Sequence, residues 1–133
     1  MTAVDTNILL YVHDPRVPAK QAAAASLVQS LTDGALIWQV ACEYLANSSK
    51  VGYDPAKAWQ YIRNLRRVWT SILPRWSAID LAERLLGAYS LSFWDAILIA
   101  ACLEGGVKRL YSEDFDAYRH VDGLEIVNPL KLQ

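Results

Sequence analysis

Short β-prone stretches without polar alternation, set between segments of helical period, constrain this chain most. Thr2-Ala3-Val4, Ala35 to Trp38, Arg109-Leu110-Tyr111-Ser112 and Leu124 to Val127 read as strands. A strand with one wet face alternates apolar and polar residues, whereas a strand covered on both faces does not. Between them, Ala24, Leu27, Val28 and Leu31 recur at helical spacing, as do Ala58, Ile62, Leu65 and Trp69, then Ala82, Leu85, Leu86 and Tyr89. Strands alternating with helices predict an α/β domain, a parallel sheet of four or five short strands flanked by helices. The absence of repeats and linkers makes residues 1–133 a single domain.

Local signals set the boundaries. Asp5-Thr6-Asn7 is the turn after the first strand, and Ile8 to Val12 a short helix ended by Asp14-Pro15. Pro18 opens a longer helix that Asp33-Gly34 stops. Gln39 to Lys50 reads as a helix with Glu43 near its first turn, and Asp54-Pro55 starts the next one. Ser77 with Asp80 resembles a capping box, and Ser92 with Asp95 another. The helix through Leu103 is apolar on nearly every side, so it belongs in the middle of the domain.

A composition of 53% hydrophobic and 20% charged residues supports a real core and excludes disorder. The net charge of −1 gives no global pull toward nucleic acid or membrane, so a polyanion must meet a local patch. Cys42 and Cys102 fall in helices without metal-type spacing and read as buried small apolar residues. The N-terminus lacks the pattern of a signal peptide, and the longest apolar run, Ala96 to Leu103, is too short for a bilayer. The expectation is a cytoplasmic protein with no membrane partner.

Four acids stand where a strand runs out or a helix begins: Asp5, Glu43, Asp95 and Asp114. In an open parallel sheet those positions share the edge at the carboxyl ends of the strands, where ligands bind. Carboxylates converging there repel one another unless a cation lies between them. Each has an ordinary alternative. Asp5 suits a helix cap, Glu43 a favourable charge near a helix start, Asp95 half of a capping box, and Asp114 a polar loop. The coincidence of all four on one edge favours a divalent-metal site and metal-assisted hydrolysis.

The strings holding these acids carry a resemblance. Val4-Asp5-Thr6-Asn7-Ile8-Leu9-Leu10-Tyr11 resembles the opening of PIN-domain ribonucleases, and Ser92-Phe93-Trp94-Asp95-Ala96-Ile97 resembles their central acid on its apolar helix. Leu110-Tyr111-Ser112-Glu113-Asp114-Phe115, with Gly123-Leu124 and Ile126-Val127-Asn128-Pro129, resembles the C-terminal part of VapC-type toxins, and Gln39-Val40-Ala41-Cys42-Glu43 fits their second acid. The resemblance spans almost the whole chain. It implies a PIN-like fold and an endoribonuclease dependent on Mg²⁺, with Mn²⁺ as substitute, acting on tRNA or another structured RNA. It also implies a type II toxin silenced by a cognate antitoxin, and a homodimer. By analogy Asp5 and Asp95 are the main metal ligands, and Glu43 and Asp114 complete the catalytic pocket. Asp116 falls where some members carry a further acid, and Thr6, Asn7 and Ser112 match pocket-lining positions. Which of Glu113, Asp114 and Asp116 enters the site stays open.

An acidic pocket repels RNA, so cations must offset it. The stretch from Pro55 to Ile79 holds Lys57, Arg63, Arg66, Arg67 and Arg75 and no acid, with Trp59, Tyr61, Trp69 and Trp76 interleaved. Arg63, Arg66, Arg67 and Arg75 are candidate contacts to RNA, where phosphates are held and unpaired bases stack, or to a partner protein. The alternative is a solvated helix face with its aromatics turned inward. His13 and His120 read as surface residues. Two other functions compete. One is a PIN-like scaffold that binds RNA or protein without catalysis. The other is a haloacid-dehalogenase-type phosphatase, which needs a second Asp where this chain has Asn7.

Overall fold

The computed structural model describes residues 1–115 and 118–131, so Asp116 lies outside the described residues. The strands are β1 (Thr2–Val4), β2 (Gly34–Ile37), β3 (Thr70–Ile72), β4 (Arg109–Tyr111), β5 (His120–Val121) and β6 (Leu124–Val127). The helices are α1 (Thr6–Tyr11), α2 (Pro18–Ser30), α3 (Trp38–Asn47), α4 (Pro55–Val68), α5 (Trp76–Ala88) and α6 (Phe93–Glu104), with a 3-10 turn at Ser48–Val51. The strands form one sheet in the order β3-β2-β1-β4-β6-β5. Neighbours pair in parallel except β5 with β6.

Register decides where the loops emerge. Val4 lies opposite Tyr111, Tyr111 opposite Val127, and Ile37 opposite Ile72. The strands therefore finish together, and the residues after them share one edge. β2 is buried at every position, as expected for a strand with helices on both faces. α6 packs against β2, β6 and α5, and buries Ala96, Leu98, Ile99, Ala100 and Cys102. It is the central helix that its all-round apolarity predicts. Among the described residues no helix is long and apolar enough to cross a membrane.

Four of the strands are those read from the sequence; β3 and β5 are additional. Both lie at sheet edges, where a strand need not be apolar. Thr70 and Ser71 of β3 are exposed. β5 has two residues and returns through Asp122-Gly123, both at positive φ, a turn that suits this pair. Trp38 opens α3 instead of closing β2. The capping box at Ser77 does not form. Arg75 occupies the N-cap with no side-chain cap bond, and Ser77 Oγ donates to Glu104 Oε1 at 2.9 Å. Ser92 does cap α6, accepting from Asp95 N, and Asp54 caps α4 through Ala56 N.

Two other expectations change. Cys42 is exposed, while Cys102 is buried. His13 is no surface residue. It stacks on Tyr53 at 3.8 Å between centroids, meets Tyr61 edge-on, and shares a 2.9 Å hydrogen bond with the Tyr44 hydroxyl. Those tyrosines come from α3, the segment before α4, and α4, so one imidazole joins three parts of the chain. Gly34 is needed for packing. A Cβ there would stand 2.4 Å from the buried indole of Trp69.

Candidate metal-binding site

Asp5 is the centre of the site. It follows β1, and its amide donates to Tyr111 O at 2.8 Å, extending the sheet by one bond. Its extended backbone makes it the N-cap of α1. Oδ1 accepts from Thr6 N at 2.7 Å, and Oδ2 accepts from Ser112 Oγ at 2.8 Å. The carboxylate is 7% exposed and Ser112 is 1% exposed. Ser112 N is held by Val127 O, and Ser112 Oγ also accepts from Asp114 N at 3.1 Å. Asp5 is therefore the helix cap of the ordinary reading and, at the same time, a buried carboxylate at the carboxyl edge of the sheet.

Glu43 and Asp114 lie near it, from neighbouring elements. Glu43, on α3, receives Thr6 Oγ1 at 3.4 Å and Gln39 Nε2 at 3.1 Å. Gln39 Nε2 also reaches Trp94 O at 3.5 Å, which ties the start of α6, and so Asp95, to the same edge. Burial raises the Asp5 pKa to about 6. The Ser112 and Thr6 donors oppose that rise, and the negative charges of Asp114 and Glu43 add to it. Burial likewise pushes the Cys102 thiol up, with the Asp5 charge contributing, so α6 passes beside Asp5. Asp5, Glu43 and Asp114 thus share one electrostatic neighbourhood.

The donor chemistry fits a hard cation. Carboxylate oxygens predominate, and the buried oxygens Asn7 Oδ1 and Gln39 Oε1 have no hydrogen-bond partner among the described residues. Among the described residues, no three His, Cys, Asp or Glu side chains are grouped closely enough to hold an ion by themselves. An ion bound through one or two carboxylates and otherwise by water, the habit of magnesium, does not require such a group.

The arginines divide. Arg66 and Arg67 sit in the last turn of α4, which leads into the start of β3, at the sheet edge opposite the acids. Arg75 follows the end of β3 and is on the acidic edge. It lines an apolar groove of about 490 Å³ with Trp38, Gln39, Trp76, Phe93 and Trp94. Of the interleaved aromatics, Trp69 is in the core and Trp76 is 83% exposed. Gln39 was not singled out from sequence. Its one signal is the four-residue spacing to Glu43 on a shared helix face.

A mostly parallel sheet set among helices defines the class as α/β, and sequence comparison defines the family. The family model described as PIN domain matches residues 2–124, so the chain belongs to the PIN-domain family. Solved structures of similar fold include a toxin–antitoxin complex from Klebsiella pneumoniae, 18% identical with a TM-score of 0.70, covering 97% of this chain and 98% of that one. Mycobacterium tuberculosis VapC20, a sarcin-ricin loop cleaving toxin, is 22% identical with a TM-score of 0.70, covering 87% and 92%. VapBC2 from Rickettsia felis, bound to a DNA fragment from its promoter, is 11% identical with a TM-score of 0.67, covering 95% and 96%. No curated protein sequence matches the chain.

Proposed function

We propose that this protein is a metal-dependent endoribonuclease and the toxin of a type II toxin–antitoxin pair. The observation that carries the proposal is the buried Asp5 carboxylate, held by Thr6 and Ser112 and crowded by the charges of Glu43 and Asp114. Membership of the PIN-domain family and the fold shared with toxin–antitoxin proteins support it.

Asp5 would hold the ion directly, with Asp95, Glu43 and Asp114 completing the acidic pocket. Mg²⁺, or Mn²⁺ in its place, would supply an activated water and neutralise charge on the phosphorane-like transition state. The chain's own residues prepare that site. Thr6 and Ser112 fix both oxygens of Asp5, so its orientation does not have to be found during the reaction. Gln39 and Thr6 orient Glu43, which is placed to hold a water or accept a proton. Arg75 and the exposed rings of Trp38, Trp76 and Trp94 line the apolar groove together with Gln39, the partner of Glu43, and suit phosphate and unpaired bases. A structured RNA such as tRNA is the proposed substrate. A cognate antitoxin and a second copy of the chain are the proposed protein partners, acting in the cytoplasm.

The test is incubation of the purified, partner-free protein with tRNA and total RNA in Mg²⁺, Mn²⁺ or EDTA. Discrete fragments with either ion and none with EDTA are expected. Intact RNA under all three conditions would leave the non-catalytic scaffold in its place.

A further inference from the structure

Beside the acidic pocket lies a second cluster, Tyr11, Lys20 and Glu113. Tyr11 ends α1, Lys20 is on α2, and Glu113 lies in the loop after β4. Tyr11 Oη donates to Glu113 Oε1 at 2.5 Å. Lys20 Nζ donates to Glu113 Oε2 at 3.1 Å and to Tyr11 Oη at 3.2 Å, and lies 4.8 Å from the centroid of the Tyr11 ring. Both carboxylate oxygens of Glu113 are therefore engaged. Its side chain is 20% exposed, so water screens these bonds only in part.

The position of Glu113 gives the cluster its meaning. The residue before it, Ser112, donates to Asp5 and accepts from the amide of Asp114. Two consecutive residues thus fix the loop from opposite sides, one on Asp5 and one on the α1–α2 pair. We propose that Tyr11, Lys20 and Glu113 are positioning residues that set Asp114 against Asp5, and that Glu113 is no part of the metal-binding set. This rests on the metal-dependent nuclease proposed for the same site. Lys20 also neutralises an acid that would otherwise add charge to a crowded edge. A displacement of about 1 Å in a catalytic group can cost roughly a hundredfold in rate, which is why so short a loop needs two anchors.

Four measurements test it. Tyr11→Phe and Lys20→Met should each slow RNA cleavage by about tenfold or more without moving the urea midpoint appreciably. In an Asp114→Asn background the same changes should have no further effect, because they act through Asp114. Mn²⁺ affinity should fall about tenfold in Asp114→Asn, which removes a charge from the site, and by clearly less in Glu113→Gln, which only loosens Asp114. Equal loss of Mn²⁺ affinity in those two variants would make Glu113 a ligand and overturn the proposal. So would cleavage at the wild-type rate in Tyr11→Phe and Lys20→Met, or a full additional loss in the Asp114→Asn background. Amide exchange provides a readout independent of catalysis. The Asp114 amide should exchange about tenfold faster in Lys20→Met while the core amides of β1 and α6 are unchanged. If the wild-type protein cuts no RNA, the nuclease proposal falls alone, and unchanged exchange at Asp114 would then remove the positioning role as well.

Discussion

Ser112 Oγ donates to Asp5 Oδ2 at 2.8 Å, across 107 residues of sequence. Parallel pairing of β1 with β4 makes that meeting possible, because each residue directly follows its strand. A hydroxyl and a backbone amide hold a carboxylate that the surrounding protein otherwise disfavours as an ion. Stability and metal binding are therefore coupled at one side chain.

Metal-free protein should respond to pH through Asp5. Its folded pKa, about 6, lies above the ordinary aspartate value of 3.8, so the native state binds more protons than the unfolded chain between those values. Stability from this group is greatest at low pH and is lost as pH rises through about 6. Asp5→Asn keeps the shape and removes the charge. In EDTA at pH 7 it should raise stability by up to about 3 kcal/mol, and by little near pH 4. Urea unfolding at both pH values measures the difference; a variant less stable than wild type at pH 7 would contradict it.

His13 works in the opposite direction. Burial holds its pKa below the usual imidazole value, so the folded state prefers the neutral ring. Stability is unaffected well above the unfolded pKa and falls as pH drops through it toward the folded value. His13→Phe should abolish that acid-side loss. It should also cost about 1–3 kcal/mol at pH 8, because the Tyr44 hydroxyl loses its partner. Denaturation midpoints of both proteins from pH 5 to 8 check the two effects together.

Gly34→Ala should destabilise the fold by about 1–3 kcal/mol through overpacking against Trp69. Trp69→Leu in the same chain should recover part of the loss. A double variant no more stable than Gly34→Ala would show that the indole is not the obstacle.

Charge reversal at two arginines separates the sheet edges. Arg75→Glu should weaken RNA cleavage at subsaturating substrate by about tenfold, while Arg67→Glu, with the same change in net charge, should cost less than about threefold. Arg75 lines the groove at the acidic edge, and Arg67 lies where α4 leads into β3. Equal losses would mean that RNA feels only overall charge.

The sequence revealed those features whose physical signal is local. β1 and β2 were legible as apolar runs without alternation, and β4 and β6 as β-prone runs bounded by turn signals, although Arg109 is exposed and burial alternates along β6; with them came the edge that holds Asp5. Asp54-Pro55 and Ser92 were legible because a cap needs only its own first turn. β3 and β5 were not, since an edge strand buries too little to leave a pattern. Ser77 misled because its hydroxyl found Glu104, 27 residues away, instead of its own helix. His13 misled for the same reason. Nothing near it in sequence announces the three tyrosines that enclose it. Glu113 and Asp114 are neighbours of one charge type, and only the positions of Tyr11, Lys20 and Ser112 tell them apart.

Calorimetric titration of Mn²⁺ into wild-type protein and Asp5→Asn at pH 7 tests the central claim most directly. Saturable binding to the wild type, weakened at least tenfold by removing that one negative charge, is the predicted result. Equal binding by both proteins, or none by the wild type, would contradict a cation held at the Asp5 edge.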